Sequence, residues 1–386
     1  MRKRIIIILA AVVVVVAAAT GYVIKKNQKS YDFNSVEQVV KDTNNNKEKI
    51  LSKKYTNLDL SNVKDVMMDA DIDNVYTFTA TRFPKYDDSK YDKFIDHAVE
   101  LGKDIWNVDI TPDEKAQELM GTLYWTTGNY TVGCSEKSIF LYDNTFPIIE
   151  TYIHEKEIIR QVYRISEGDS TEGVTLSQDG YSLDDAIEYA NSIVDKYLMT
   201  YVWAGQIRIR TALKYTMPDG SEQYVLRYEN VLDDIAIDEA GDYAHLENGG
   251  MLPSWLEIRI NGKEHINKLY CNSFTMQEKT AVDEVLPLSE ALQKASDKLA
   301  PYGVYEINSI EIKYCCLYGP QKEETTYVEL LAYRPMWVMD VYVEKVINTM
   351  EVDPRMSIYV DATDGEVYIL DATNMDAQYF TLDTQG

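Results

Sequence analysis

The chain has 386 residues, 45% of them hydrophobic, and 63 acidic against 38 basic side chains leave a net charge of −25. That length fits two or three domains with a core of ordinary size. The charge argues against a nucleic-acid binder, which needs clustered Lys and Arg on one face, and against adsorption of the body to anionic lipid.

In chain order, the first signal is the strongest. Arg2, Lys3 and Arg4 precede an uncharged apolar run over residues 5–24. At 1.5 Å per residue such a run spans about 30 Å, the thickness of a bilayer core. A signal peptide has a shorter apolar stretch, although Ala17 and Ala19 leave a cut after Ala19 open. The expectation is a single-pass anchor over residues 1–28, with the acidic body outside the cytoplasm. Residues 29–55 are polar and rich in Asn and Lys, which reads as a tether, with Val36, Val39 and Val40 marking a short helix inside it.

Residues 56–168 read as a mixed α+β region. Asp69-Ala70-Asp71-Ile72-Asp73-Asn74 resembles the start of a calcium loop but has Asn74 where Gly is required and Ala80 where the bidentate Glu would stand. It reads as a polar turn before a strand at Val75. Phe94, Ile95, Ala98, Leu101 and Ile105 have helical spacing over residues 90–106. Thr111, Pro112, Asp113 and Glu114 predict a second helix running to Leu123. Residues 130–132, 138–142, 148–154 and 158–165 then read as short antiparallel strands. The chain holds 30 tyrosines, many in alternating runs, as half-buried strands favour.

Beyond a Gly-rich boundary at residues 168–180, the chain repeats itself. Leu183, Asp185, Ala186, Ile187 and Ala190 match Leu288, Glu290, Ala291, Leu292 and Ala295. Ser182 and Ser289 are the expected N-caps. Each helix is followed by a strand ending in Lys-Tyr (Lys214-Tyr215 and Lys313-Tyr314), a polar turn, a strand ending in Tyr, and an alternating strand running into a tight turn. Asn261-Gly262 and Asp364-Gly365 fill that last place, because Asn-Gly and Asp-Gly tolerate positive φ. The expected architecture is tandem helix-plus-antiparallel-sheet modules of α+β class over residues 181–275 and 284–374, behind the N-terminal transmembrane helix.

Asp361, Asp364 and Glu366 crowd the second turn. The first copy has Lys263 and Glu264 there instead, so the turn chemistry is shared and the charge is not. That favours a hairpin tip over a metal site. The SLxEAxxxA-type helix, the Tyr333-Pro335-Trp337 strand and the closing YVDATDGEV stretch resemble the PepSY-type module of bacterial extracytoplasmic proteins. The same strand is similar to membrane-anchored regulators of sensor histidine kinases. The resemblance covers residues 286–370 well and 182–269 weakly. It implies an anchored, non-catalytic module acting through protein–protein contacts, with Tyr333, Pro335, Trp337, Asp361, Asp364 and Gly365 as structural or interaction residues.

Other chemistry is sparse. His97, His154, His245 and His265 form no metal-binding pair and read as surface or hairpin-edge residues. Cys134, Cys271, Cys315 and Cys316 show no CxxC spacing; a bridge from Cys271 to Cys315 or Cys316 and free buried thiols both stay open. No catalytic, cofactor or metal residue stands out. The expected function is a membrane-anchored extracytoplasmic binding or regulatory protein with a protein partner in the envelope, and no nucleic acid or cofactor. The alternative is an envelope hydrolase using a carboxylate pair.

Overall fold

The computed structural model describes residues 32–81, 88–110, 117–119, 122–134, 138–145, 158–198, 206–238, 256–272, 275–316, 330–341, 355–372 and 378–381. These residues form an α+β fold with four α-helices and 21 strands. The N-terminal part runs β1 (Asn34–Ser35), α1 (Val36–Leu51), β2 (Leu58–Asp59), β3 (Val66–Met67), β4 (Val75–Thr81) and α2 (Asp88–Trp106). A meander follows: β5 (Gln117–Leu119), β6 (Thr122–Thr127), β7 (Tyr130–Cys134) and β8 (Ser138–Asp143), then β9 (Ile159–Arg164).

The first unit consists of α3 (Leu183–Ile193), β10 (Gln206–Thr216), β11 (Glu222–Leu232), β12 (Ile235–Ile237), β13 (Leu256–Ile260) and β14 (Ile266–Asn272). After β15 (Thr275–Val282) and β16 (Glu284–Val285) comes the second unit. It consists of α4 (Leu288–Lys298), β17 (Tyr305–Cys315), β18 (Leu330–Val341), β19 (Arg355–Asp361), β20 (Val367–Ala372) and β21 (Gln378–Thr381).

Both units have one order of elements: a helix, then an antiparallel meander. In the first the ladder is β10–β11–β13–β14, extended by β9 at one side and by β8 to β5 at the other. In the second it is β17–β18–β19–β20–β21. The short strand β12 joins them. It folds back on β11 through Asp233 and Asp234, both at positive φ, and runs parallel to β17, placing Ala236 opposite Lys313.

The helices exist because apolar side chains recur on one face. Leu183, Ala186, Ala190 and Ile193 of α3, and Leu288, Ala291, Leu292 and Ala295 of α4, are buried. They share one core with Tyr224, Leu226 and Tyr228 of β11 and with Trp337, Ile358 and Val360 of the second sheet. Ser182 caps α3 by accepting from the Asp185 N–H at 3.1 Å. The cap of α4 is Pro287, not Ser289, and it makes no side-chain hydrogen bond. Proline fixes the extended backbone that a helix start needs, so the hydroxyl is dispensable there.

The segment expected to be a tether is largely a docked helix. Val36, Val39 and Val40, which marked a short helix in the sequence, are buried with Thr43 as an i, i+3, i+4, i+7 stripe, and the helix runs on through the polar residues to Leu51. Downstream of it, Asn57 binds Ser296 of α4 twice, β2 and β3 run parallel to β17, and β4 pairs with both β15 and β18. The helix expected to reach Leu123 is not formed in its described part: residues 117–119 and 122–127 are strands. Tyr124, Trp125 and Thr126 are good strand formers, and the Gly128–Asn129 turn returns the chain so that Thr127 faces Tyr130. The expected strand at 148–154, with His154, and His245 both lie outside the described residues.

Among the described residues no helix is long and apolar enough to cross a membrane, and residues 5–24 lie outside them. Cys271, Cys315 and Cys316 are free thiols, so Cys271 makes no bridge to either of the pair; the Cys134 side chain is not described. His97 is buried, contrary to the surface reading, with its Nε2 against the Tyr197 carbonyl. Burial holds its imidazole below the ordinary range, with Glu100 opposing.

Candidate functional site

The six residues expected from sequence converge on the second unit, three on β18 and three on the turn after β19. Tyr333 is buried and stacks on Phe78 at 4.7 Å between ring centroids. Trp337 is fully buried and donates from Nε1 to the Leu286 carbonyl at 2.8 Å, tying β18 to the entry of α4. The Pro335 carbonyl accepts from Ala362 N–H at 2.9 Å. Its missing donor would face the same side, just past the last β18–β19 pair, Met336 with Asp361, so the proline costs no ladder bond.

The acidic turn uses its charges internally. The Arg334 guanidinium lies 3.0 Å from both Asp361 and Asp364. Asp361 Oδ1 also accepts from the Thr363 backbone and hydroxyl. Lys294 of α4 donates to the Gly365 carbonyl at 2.7 Å. Gly365 takes φ +75°, which favours glycine, and a Cβ there would displace the end of the Lys294 side chain from the turn. Burial and the Asp361 charge push the Asp364 carboxyl up, against Arg334 and the Glu366 N–H. Among the described residues no group of three His, Cys, Asp or Glu side chains could hold a metal.

The first-copy turn corrects the expected alignment. Glu264, not Gly262, carries the positive φ, at +51°. Asn261 N–H donates to the His265 carbonyl, as Asp361 N–H donates to that of Glu366. Asn261 thus matches Asp361, and Glu264 matches Gly365.

Sequence reasoning missed a charged seam on the sheet face turned away from the helices. Side chains alternate along β17. Ile310, Ile312 and Tyr314 belong to the core shared with the helices, while Ser309, Glu311, Lys313 and Cys315 point the other way. Lys313 Nζ sits 2.8 Å from Glu311 Oε2, and both residues are buried. On the adjoining part of the first unit, Glu229 receives Arg208 Nε at 2.7 Å, with Arg210 Nε at 3.8 Å. Farther along β13, buried Glu257 is met by Arg259 at 2.7 Å, Arg227 at 3.3 Å and Lys268 at 3.9 Å. In the second unit Ser309 and Ser357 donate to Asp340, and Tyr359 donates to Asp238 at 2.9 Å.

Burial pushes the Glu311 carboxyl above the usual carboxylate range, with Lys313 opposing. Burial and Arg210 press the Lys313 ammonium down, but Glu311, Asp238 and Asp340 more than offset them and keep it charged. Glu257 goes the opposite way from Glu311: burial raises it, and Arg259, Arg227 and Lys268 together pull it below the ordinary value.

Beside Glu311 a cleft of about 300 Å³ opens where α1, the β3 region and both units meet, with Lys47, Met68, Ser166, Arg208, Asp234 and Glu311 in its walls. The signal that could have pointed here is the period-two run Ser309, Glu311, Lys313. It looks like an ordinary wet strand face, since nothing local shows that the face is buried.

No family model and no curated protein matches the chain. Among solved structures, an uncharacterized protein from Eubacterium rectale is similar at 16% identity, over 87% of this chain and 99% of that one, with a TM-score of 0.49. The Bacillus megaterium YpeB C-terminal domain is similar at 10% identity, over 74% of this chain and 97% of that one, with a TM-score of 0.28. Neither value ties the chain to a family.

Proposed function

We propose that the chain is a membrane-anchored, extracytoplasmic binding or regulatory protein, in which two PepSY-like units present one continuous sheet to a protein partner. The anchor rests on the uncharged run over residues 5–24 with basic flanks. The observation that carries the non-catalytic reading is the mutual commitment of charges: Glu229 to Arg208, Glu257 to Arg259 and Arg227, Asp361 to Arg334. These carboxylates are committed to neighbouring cations inside the fold, whereas a general acid or base needs an open site facing substrate. One observation favours the hydrolase alternative: Glu311 lines the cleft with its carboxyl pushed up.

The test is made on the full chain in intact bacterial spheroplasts. External protease should remove the body and leave a membrane-bound stem, and cross-linking beforehand should give a discrete adduct with a second membrane or envelope protein. Recovery of the chain in the soluble cytosolic fraction, or full protection from protease, overturns the anchored reading. Cross-linking that gives no adduct overturns the partner.

A further inference from the structure

The Glu311–Lys313 pair is only half satisfied. Glu311 is 8% exposed and stands in the cleft wall. Its Oε2 faces Lys313, and among the described residues Oε1 has no hydrogen-bond donor. The Lys313 ammonium, although close, makes no aligned hydrogen bond there. Oε1 therefore stands open to the cleft, available to a donor that enters it.

The same cleft holds the opposite sign. Arg208 gives its Nε to Glu229 at 2.7 Å, which leaves the terminal fork without a described partner in a side chain that is 43% exposed. Ser166 offers a hydroxyl with no described hydrogen bond. Asp234 has no described side-chain partner either and stands in the left-handed turn whose other residue, Asp233, is paired with Lys279 at 2.6 Å. Met68 and Ile312 supply apolar wall between the polar groups. A simple cation would meet the Arg208 fork, and a simple anion would meet Glu311 and Asp234. Lys47 and Asp65 in the same walls pair with each other at 3.0 Å, and Asp69 adds a further carboxylate; a molecule with both charges meets Glu311, Asp234 and the Arg208 fork together.

We propose that this cleft binds a small zwitterion of the amino-acid class, with its ammonium on Glu311 Oε1 and Asp234 and its carboxylate on the Arg208 fork. The fork geometry suits a carboxylate in two parallel hydrogen bonds. The proposal goes beyond the partner-binding reading and does not depend on the anchor.

The experiment titrates the detergent-solubilised full chain calorimetrically with L-alanine, L-lysine and L-glutamate, and with acetate and putrescine as single-charge probes. At least one amino acid should bind, with acetate and putrescine roughly tenfold weaker or worse. Arg208→Gln leaves the Glu311–Lys313 pair intact but takes the nearest cation from buried Glu229, so it should weaken the amino acid by roughly tenfold or more and lower the melting temperature, with binding measured well below that temperature. Asp234→Asn should weaken it by a smaller factor. Glu311→Gln should abolish it; should that variant not fold, Arg208→Gln decides. No amino-acid binding into the millimolar range overturns the proposal. So does putrescine binding as tightly as the amino acids to both the wild type and Arg208→Gln.

Discussion

The two helix-plus-meander units share an order of elements and little else. On the inner face both need an apolar helix stripe over a sheet, but the pins differ. The second unit fixes its helix entry with the Trp337 indole on the Leu286 carbonyl, while the first uses hydroxyls, Tyr224 on the Tyr181 carbonyl and Tyr228 on Asn191. On the outer face the first unit sets one carboxylate, Glu257, among three cations, and the second sets two serine hydroxyls on Asp340. A duplicated topology therefore constrains the inner stripe and the strand order, and leaves caps, turns and the outer face open to diverge.

The contrast can be broken most forcefully at the pins. Trp337→Ala should cost about 3–5 kcal/mol, from lost packing and a stranded carbonyl, read from chemical denaturation. Tyr228→Phe, its counterpart, removes one hydroxyl bond and should cost only about 1 kcal/mol. Equal losses would mean that the units are pinned alike.

Glu257→Gln comes next, at about 3 kcal/mol near neutral pH, because Arg227, Arg259 and Lys268 lose their shared counter-charge. The folded protein holds the Glu257 carboxyl below its ordinary 4.5. Its stabilisation is therefore fully present above about 4.5 and is lost as pH falls through the lower folded-state value. The gap between wild type and variant should close in acid. A gap that widened there would reverse the assigned sign.

Smaller effects separate the caps and turns. Ser182→Ala should cost about 1 kcal/mol, and Ser289→Ala should be nearly silent, since only the first serine caps a helix. Glu264→Gly should stabilise by about 0.5–1 kcal/mol by relieving a left-handed side chain, whereas Gly365→Ala should destabilise. A Glu264→Gly variant no more stable than the wild type, with Gly262→Ala as costly as Gly365→Ala, would restore the alignment of Gly262 with Gly365.

The α+β class and the helix stripes were legible because their signals are local: periodicity, caps and β-branched runs. Register was not. The Lys-Tyr dipeptides that align the copies in sequence face opposite ways. Tyr314 lies in the core with the helices, whereas Tyr215 belongs to a separate cluster with Leu213 and Val225. A one-residue offset flips every side chain across a sheet, and a bulge near Arg210 in β10 is invisible in the sequence. The seam was hidden for a related reason. Glu311 and Lys313 look solvent-facing until β12 returns beside β17, and that parallel pairing joins residues 77 positions apart, Ala236 and Lys313. The acidic turn was readable as a hairpin because Asp-Gly chemistry is local; its ties to Arg334 and Lys294 were not.

Everything at the seam depends on β12 welding the units into one sheet. Native-state amide hydrogen exchange tests this directly. The Asp238 amide, which donates to the Tyr314 carbonyl across the β12–β17 pairing, and the Tyr314 amide on the same side of β17 should open with the same free energy as the central amides of β11 and β18. Rapid exchange along β12, with β11 and β18 still protected, would show two separate units merely lying side by side.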